Sequence, residues 1–349
     1  MSLPIRPGRR KEITTWLSPS GYHACYFTRD REAARKSRHL NTCRWVLNKK
    51  EFQEWSKNPG TQGPLWIYAK PGAGKTILSS YLIDHYQSSI NPDEPRMLFY
   101  FFCKFTDADK NQPLAVIRSL LYQLYEGESP NRNHLVTQIE DALDKSGQQK
   151  ATDYSTLWEL FYTHALEAPE ITIIIDGLDE CKNPKTMIDH LIQLCHRKGT
   201  RVIFTSRREA HLVKRFDKFT SFEITQQDIN DDITAFIEAK VAKNLHEFDP
   251  TLREKVVAKL SDAHEGMFLW VKLMLKELKQ CPSRPGVERI LSDLPRGLDM
   301  VYLRILQRLD ADCTRESRDL CRKVLGWIVT ALRPLSVKEL RDALIIQYE

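Results

Sequence analysis

The stretch "LWIYAKPGAGKTILSSYLIDHY", Leu65 to Tyr86, limits what this chain can fold into more than any other part of it. Leu65 to Tyr68 read as a short buried strand, "AKPGAGKT" as a turn of small residues, and the pattern becomes helical from about Thr76. A strand, a glycine loop and a helix in that order let backbone N–H groups turn inward around phosphate oxygens. Gly72 and Gly74 permit the turn, the helix N-terminus adds partial positive charge, and Lys75 reaches towards a phosphate chain. Thr76 adds a hydroxyl suited to Mg2+. The candidate cradle is therefore Ala69, Lys70, Pro71, Gly72, Ala73, Gly74, Lys75, Thr76 and Ile77. Ala69 departs from the G-x-x-x-x-G-K-[ST] pattern, which opens on glycine. Alanine is tolerated there if the position demands compactness rather than a left-handed backbone.

A second signal lies downstream in "ITIIIDGLDEC", an apolar strand that delivers Asp176, Asp179 and Glu180 to one end of a sheet. Asp176 is expected to hold Mg2+, and a nearby carboxylate to orient an attacking water. Gly177 occupies the position directly after the first acid, so that second role falls to Asp179 or Glu180. An acidic helix-capping cluster is the structural alternative for the three acids. The next run, "RVIFTSRR", offers Arg207 as a sensor of a terminal phosphate if its strand lies beside the one that feeds the loop. The alternative for Arg207 is an exposed basic residue solvating a strand end.

Five strand candidates, "LWIY", "MLFYFFCKF", "ITIIID", "RVIFTS" and "FTSFEI", alternate with helical patterns, which predicts an α/β fold with a parallel sheet. Pro113 opens one of the helices, and another runs from Tyr154 to His164. Beyond about Asp228 strand signals give way to consecutive helices. The last of these starts at a capping box made by Ser336 and Glu339. The expected organisation is residues 1–60 as a basic N-terminal linker and preceding segment, and 61–227 as a P-loop core. Residues 228–312 follow as a helical lid and 313–349 as a partial winged helix.

Taken together, "AKPGAGKT", "IIIDGLDE", "VIFTSRR", "GMFLWVKLML" and "LPRGLDMVYLRIL…RPLSVKEL" resemble the fungal NACHT-type STAND P-loop NTPases, including the nephrocystin-like N-terminal module, over about residues 35 to 349. The resemblance implies a five-stranded parallel sheet of the additional-strand type, order 5-1-4-3-2, followed by a helical lid and a winged helix. It implies ATP with Mg2+ as ligands, exchange between ATP and ADP, slow hydrolysis, and self-association governed by nucleotide state. A protein effector or sensor partner and a role in fungal non-self recognition or programmed cell death follow from the same likeness. So does an adenine-lining segment, "RHLNTCRWVL", with Thr42 and Cys43 as its candidate residues. The competing expectations are a degenerate or truncated scaffold that does not hydrolyse, and a winged-helix DNA-binding protein.

Charge bears on the last of these. The net charge of +6 arises in the first 60 residues, where 13 Lys and Arg face 5 acids. No aromatic reader motif accompanies them, which argues against a nucleic-acid partner and for a solvated or domain-facing surface. Eight scattered cysteines, including Cys25, Cys43, Cys103, Cys181 and Cys195, form no CxxC pair and suit reduced thiols in the cytoplasm. No run is long and apolar enough to span a membrane, since Lys272 and Lys276 interrupt the best candidate. His190, Cys181, Cys195 and His196 match no zinc spacing and are expected to pack in the core. Leu344, Ile345 and Ile346 close to Glu349 suggest a fragment or shortened product.

Overall fold

The apolar runs pair as one parallel sheet built from Leu65–Tyr68 (β1), Arg96–Phe102 (β2), Glu170–Asp176 (β3), Thr200–Ser206 (β4) and Ser221–Glu223 (β5). Their spatial order is β2-β3-β4-β1-β5, which read from the other edge is the expected 5-1-4-3-2. The structure, a computed structural model, describes residues 7–18, 26–89, 96–107, 109–127, 131–147, 151–333 and 335–346; Arg6, Cys25 and Glu349 lie outside that set. Ile171, Ile173, Ile174 and Ile175 of β3 are all inaccessible to solvent, as a central strand covered on both faces requires. "MLFYFFCKF" stops being strand at Phe102 because Cys103 N–H bonds across to Asp176 O at 2.8 Å and Lys104 N–H turns to Lys110 O at 3.2 Å.

Residue contacts divide the chain into two compact units, Met1–Ile229 and Asn230–Glu349. The first carries the sheet and the helices Pro7–Leu17 (α1), Tyr26–Ser37 (α2), Trp45–Asn48 (α3), Lys50–Lys57 (α4), Lys75–Ser88 (α5), Pro113–Glu126 (α6), Arg132–Ser146 (α7), Tyr154–Ala165 (α8), Lys185–Leu194 (α9) and Ala210–Phe216 (α10). Residues expected as a linker are thus helical, and Ile13, Trp16, Leu17, Phe52 and Trp55 are buried. Several of their arginines are engaged inside the unit. Arg31 donates to Asp84 Oδ1 at 2.9 Å, Arg38 lies 3.2 Å from Asp84 Oδ2, and Arg10 reaches Glu126 at 2.8 Å. Lys49 clasps Asp228 at 2.7 Å. Asp84 belongs to α5, so two arginines of α2 and the turn after it fasten that segment to the helix that begins at the phosphate loop.

The second unit is helical throughout its described residues. Gln226–Asn244 (α11) spans the boundary, and Pro250–Ala263 (α12), Phe268–Lys279 (α13), Arg284–Ser292 (α14), Gly297–Asp312 (α15), Arg315–Thr330 (α16) and Val337–Ile346 (α17) follow. Its core gathers Ile233, Phe236, Leu260, Trp270, Met274 and Leu278, with the Trp270 indole N–H held by Pro295 O at 2.8 Å. The capping box is formed: Ser336 N–H bonds Glu339 Oε2 at 2.9 Å, and Glu339 N–H bonds Ser336 Oγ at 3.2 Å. Of the residues weighed as a metal group, Cys181 and Cys195 are buried and His190 stacks on Trp158 at 4.7 Å. His196 is exposed, contrary to the expectation of core packing, because it falls just past the end of α9 where the chain turns out.

Candidate functional site

The parallel register sets Tyr68 beside Ser206 and Phe102 beside Asp176, so β1, β2, β3 and β4 end along one edge of the sheet. The loop, the strand-end acids and Arg207 gather there. After β1 the chain crosses "AKPGAGK" and enters α5, with Gly72 at φ 79° and Gly74 at φ 93°, both left-handed. That region favours glycine, so these two positions carry the loop's conformational demand. Ala69 has no left-handed backbone; it is 2% exposed, and its N–H bonds Ser206 O at 3.2 Å. Compactness is therefore what the position requires, and alanine meets it. Ala73 is buried, Lys70 and Pro71 are exposed, and Ile77 is half-buried on the first turn of the helix.

Lys75 folds back over its own loop, its Nζ donating to Ala69 O at 3.0 Å and Lys70 O at 3.1 Å. Burial lowers its pKa. The carboxylates of Asp179, Asp176 and Glu180 oppose that shift, and Arg207 adds to it.

Asp176 is the centre of the arrangement. Its Oδ2 accepts the Thr76 hydroxyl at 2.8 Å, while its Oδ1 accepts Ser79 Oγ at 2.7 Å and Thr205 Oγ1 at 2.5 Å. Thr205 Oγ1 also receives Gly177 N–H at 3.3 Å. Burial pushes the Asp176 carboxyl above the ordinary aspartate range; the three hydroxyls and the Lys75 ammonium pull against it. Gly177 turns left-handed at φ 70°, and a Cβ there would lie 3.0 Å from Cys103 O. Close approach of the backbone leaving β2 explains why no side chain follows the first acid.

Asp179 and Glu180 sit on the short helix Leu178–Glu180. Arg207, directly after β4 and so beside the loop-bearing β1, is held twice by Asp179: its N–H bonds Oδ1 at 3.0 Å and its Nε lies 3.3 Å from Oδ2. Glu180 Oε2 accepts Phe105 N–H at 2.9 Å. Thr42 and Cys43 are both buried in the turn between α2 and α3, Thr42 Oγ1 donating to His39 O at 2.7 Å and Cys43 holding φ 71°.

Two members of the cluster were not singled out from sequence. Ser79 stands three residues after Thr76, on the same face of α5, a spacing that offered the clue. Thr205 was legible only once β4 was known to neighbour β3. The donor set formed by the Thr76 hydroxyl and the Asp176 carboxylate is all oxygen, which suits Mg2+ rather than a softer metal.

The model describing the N-terminal part of nephrocystin 3 matches residues 41–207, a span that contains every candidate residue named above. Vegetative incompatibility protein HET-E-1 of Podospora anserina is 30% identical over 331 residues, covering 88% of this chain and 23% of its own. The chain thus spans less than a quarter of the length of that relative. Among solved structures, the Aeropyrum pernix ORC2 protein in its ADP form aligns with TM-score 0.42 at 10% identity, over 97% of this chain and 88% of that one. AMPPCP-bound DnaA from Aquifex aeolicus aligns with TM-score 0.35 at 13% identity, over 82% and 79%. Both likenesses are loose, and it is the sheet order that defines the fold.

Proposed function

We propose that this chain, whose similarity to the nephrocystin 3 N-terminal module over residues 41–207 and to HET-E-1 marks it as a NACHT-type NTPase like the fungal ones, is a switch operated by Mg-ATP binding and slow hydrolysis. The convergence of three hydroxyls on the buried carboxylate of Asp176, at the root of a loop with two left-handed glycines, carries this reading. In it the backbone N–H groups of residues 72–76 cradle phosphates, and Lys75 leaves Ala69 O and Lys70 O to bind them. Thr76 and Asp176 would hold Mg2+, which when bound neutralises charge on the phosphate oxygens. Asp179 keeps Arg207 poised to exchange its carboxylate for a terminal phosphate. Glu180 is assigned the orientation of water, and Thr42 and Cys43 the lining of the base pocket.

The magnitudes suit a switch. Moving an equilibrium from about 1:99 to 99:1 takes about 5.5 kcal/mol of differential binding. Charge-assisted contacts contribute roughly 1.5–3 kcal/mol each, so Lys75, Arg207 and the metal suffice in principle. Self-association, an effector or sensor partner, a cytoplasmic setting and a part in fungal non-self recognition or programmed cell death extend the same proposal. The Podospora relative, a vegetative incompatibility protein, supports the non-self recognition reading, and the free thiols of the described cysteines suit a reducing compartment. No helix among the described residues is long and apolar enough to cross a membrane.

A thermal-shift series with ATP, ADP and GTP in Mg2+ tests the proposal. At about 100 times the dissociation constant, ATP should stabilise the protein by roughly 2.7 kcal/mol. Lys75→Ala should remove that gain while leaving the unliganded melting point in place. A wild-type protein indifferent to all three nucleotides would overturn the reading in favour of a degenerate scaffold.

A further inference from the structure

Away from the phosphate loop, α7, α8 and the turn after α8 bring together two imidazoles and a carboxylate. Ligand atoms of His134, His164 and Glu167 all lie within 4.8 Å of one another. His134 stands in the first turn of α7 and is exposed; His164 stands in the last turn of α8 and is fully buried. We propose that these three residues form a binding site for a single Zn2+ ion, with the fourth position left to water or a small anion.

Three observations carry the proposal. His164 Nδ1 and Glu167 Oε2 are buried polar atoms with no hydrogen-bond partner, a state that folded proteins avoid and that a shared cation would relieve. The two residues already face each other, His164 Nδ1 lying 3.4 Å from Glu167 Oε1. An imidazole nitrogen and a carboxylate oxygen so placed can both address a single cation.

The third observation is orientation. Gln138 on α7 places its Oε1 3.0 Å from His164 Nε2, which sets the proton on Nε2 and leaves the Nδ1 lone pair bare towards Glu167. The same amide lies 3.3 Å from His134 Nε2, the longer contact and the one coordination would replace. The imidazole rings, 5.3 Å apart and inclined at 62°, do not stack face to face, so their edges can address a common point. Two imidazoles with one carboxylate form a set that zinc uses with an open fourth position. The exposed His134 provides the way in.

Equilibrium dialysis of the full chain against Zn2+, with excess Mg2+ to occupy all-oxygen sites, reads the site directly. One zinc per chain is expected. His134→Ala, at an exposed position, and Glu167→Gln should each weaken it more than about tenfold, and Gln138→Leu by about 10- to 100-fold through loss of orientation. Co2+ in place of Zn2+ should give tetrahedral visible absorption that His134→Ala abolishes. ATP-induced thermal shifts should be the same in these variants and in the wild type, which separates this site from the phosphate loop. No zinc uptake, or uptake equal in the wild type and the His134 and Glu167 variants, overturns the proposal.

Discussion

At the scale of single residues, Asp176 sets function against stability. Its folded pKa is raised, so the native state holds the proton more tightly than the unfolded chain does. Stability from this group is therefore present below the ordinary aspartate pKa and is lost as pH rises through the raised value. Asp176→Asn removes the buried charge, and the unliganded variant should melt at or above the wild-type temperature near neutral pH. The same variant should lose Mg2+-dependent nucleotide binding. In the wild type that binding should weaken on acidification at a higher pH than an ordinary aspartate would dictate, because the metal needs the ionised form. Titrating affinity against pH in both proteins checks the sign. Gly177→Ala places a side chain on a left-handed backbone against Cys103 O and should cost about 1–3 kcal/mol in chemical denaturation. Lys75, Thr76, Asp176, Asp179, Glu180 and Arg207 could be picked out as candidates from the sequence because loop glycines and strand-end acids have few structural uses, and the fold brings them to one edge of the sheet. Ser79 was not: its spacing from Thr76 was a faint clue that only the placing of Asp176 opposite it made decisive.

Elements differ in how openly the sequence announces them. β1 to β4 were readable since each holds a continuous apolar run, and Pro113 marked α6, whereas β5 offers only Phe222 between Ser221 and Glu223. By contrast, α7 buries just Leu135, Val136 and Ile139 in 15 residues, too thin a stripe to stand out. The helices before residue 60 were hidden by their arginines, whose acidic partners lie far along the chain. The Arg10 to Glu126 pair, for example, spans 116 positions. Such pairing makes α2 dependent on α5. Asp84→Ala should strip Arg31 and Arg38 of a partly buried partner and cost about 1–3 kcal/mol. Hydrogen exchange should then rise across residues 26–37 more than across α6. Ser336→Ala should fray α17 by removing half of its capping box, visible as faster exchange at residues 337–345.

For the molecule as a whole, the pairing of its arginines within one unit bears on partners. Duplex DNA binding by this basic segment would require those ion pairs to open, so affinity should be weak and should not show the steep salt slope of a protein with many phosphate contacts. Gel-shift titration at two salt concentrations measures it. Slow hydrolysis is the companion expectation: a further arginine set against the transition state contributes about 10³ to 10⁵ in rate, and Arg207 is held by Asp179 instead. Glu180→Gln should then lower turnover while leaving ATP affinity within about twofold. The loop, finally, holds its own cation, with Lys75 Nζ on the carbonyl oxygens of Ala69 and Lys70. That contact makes the loop its own competitive inhibitor. Capture of nucleotide must wait for a first-order release of the ammonium, so in stopped-flow mixing the observed association rate should climb with ATP concentration and then level off. The plateau would measure how often the loop lets go, a clock for the switch that runs independently of how much ATP surrounds it.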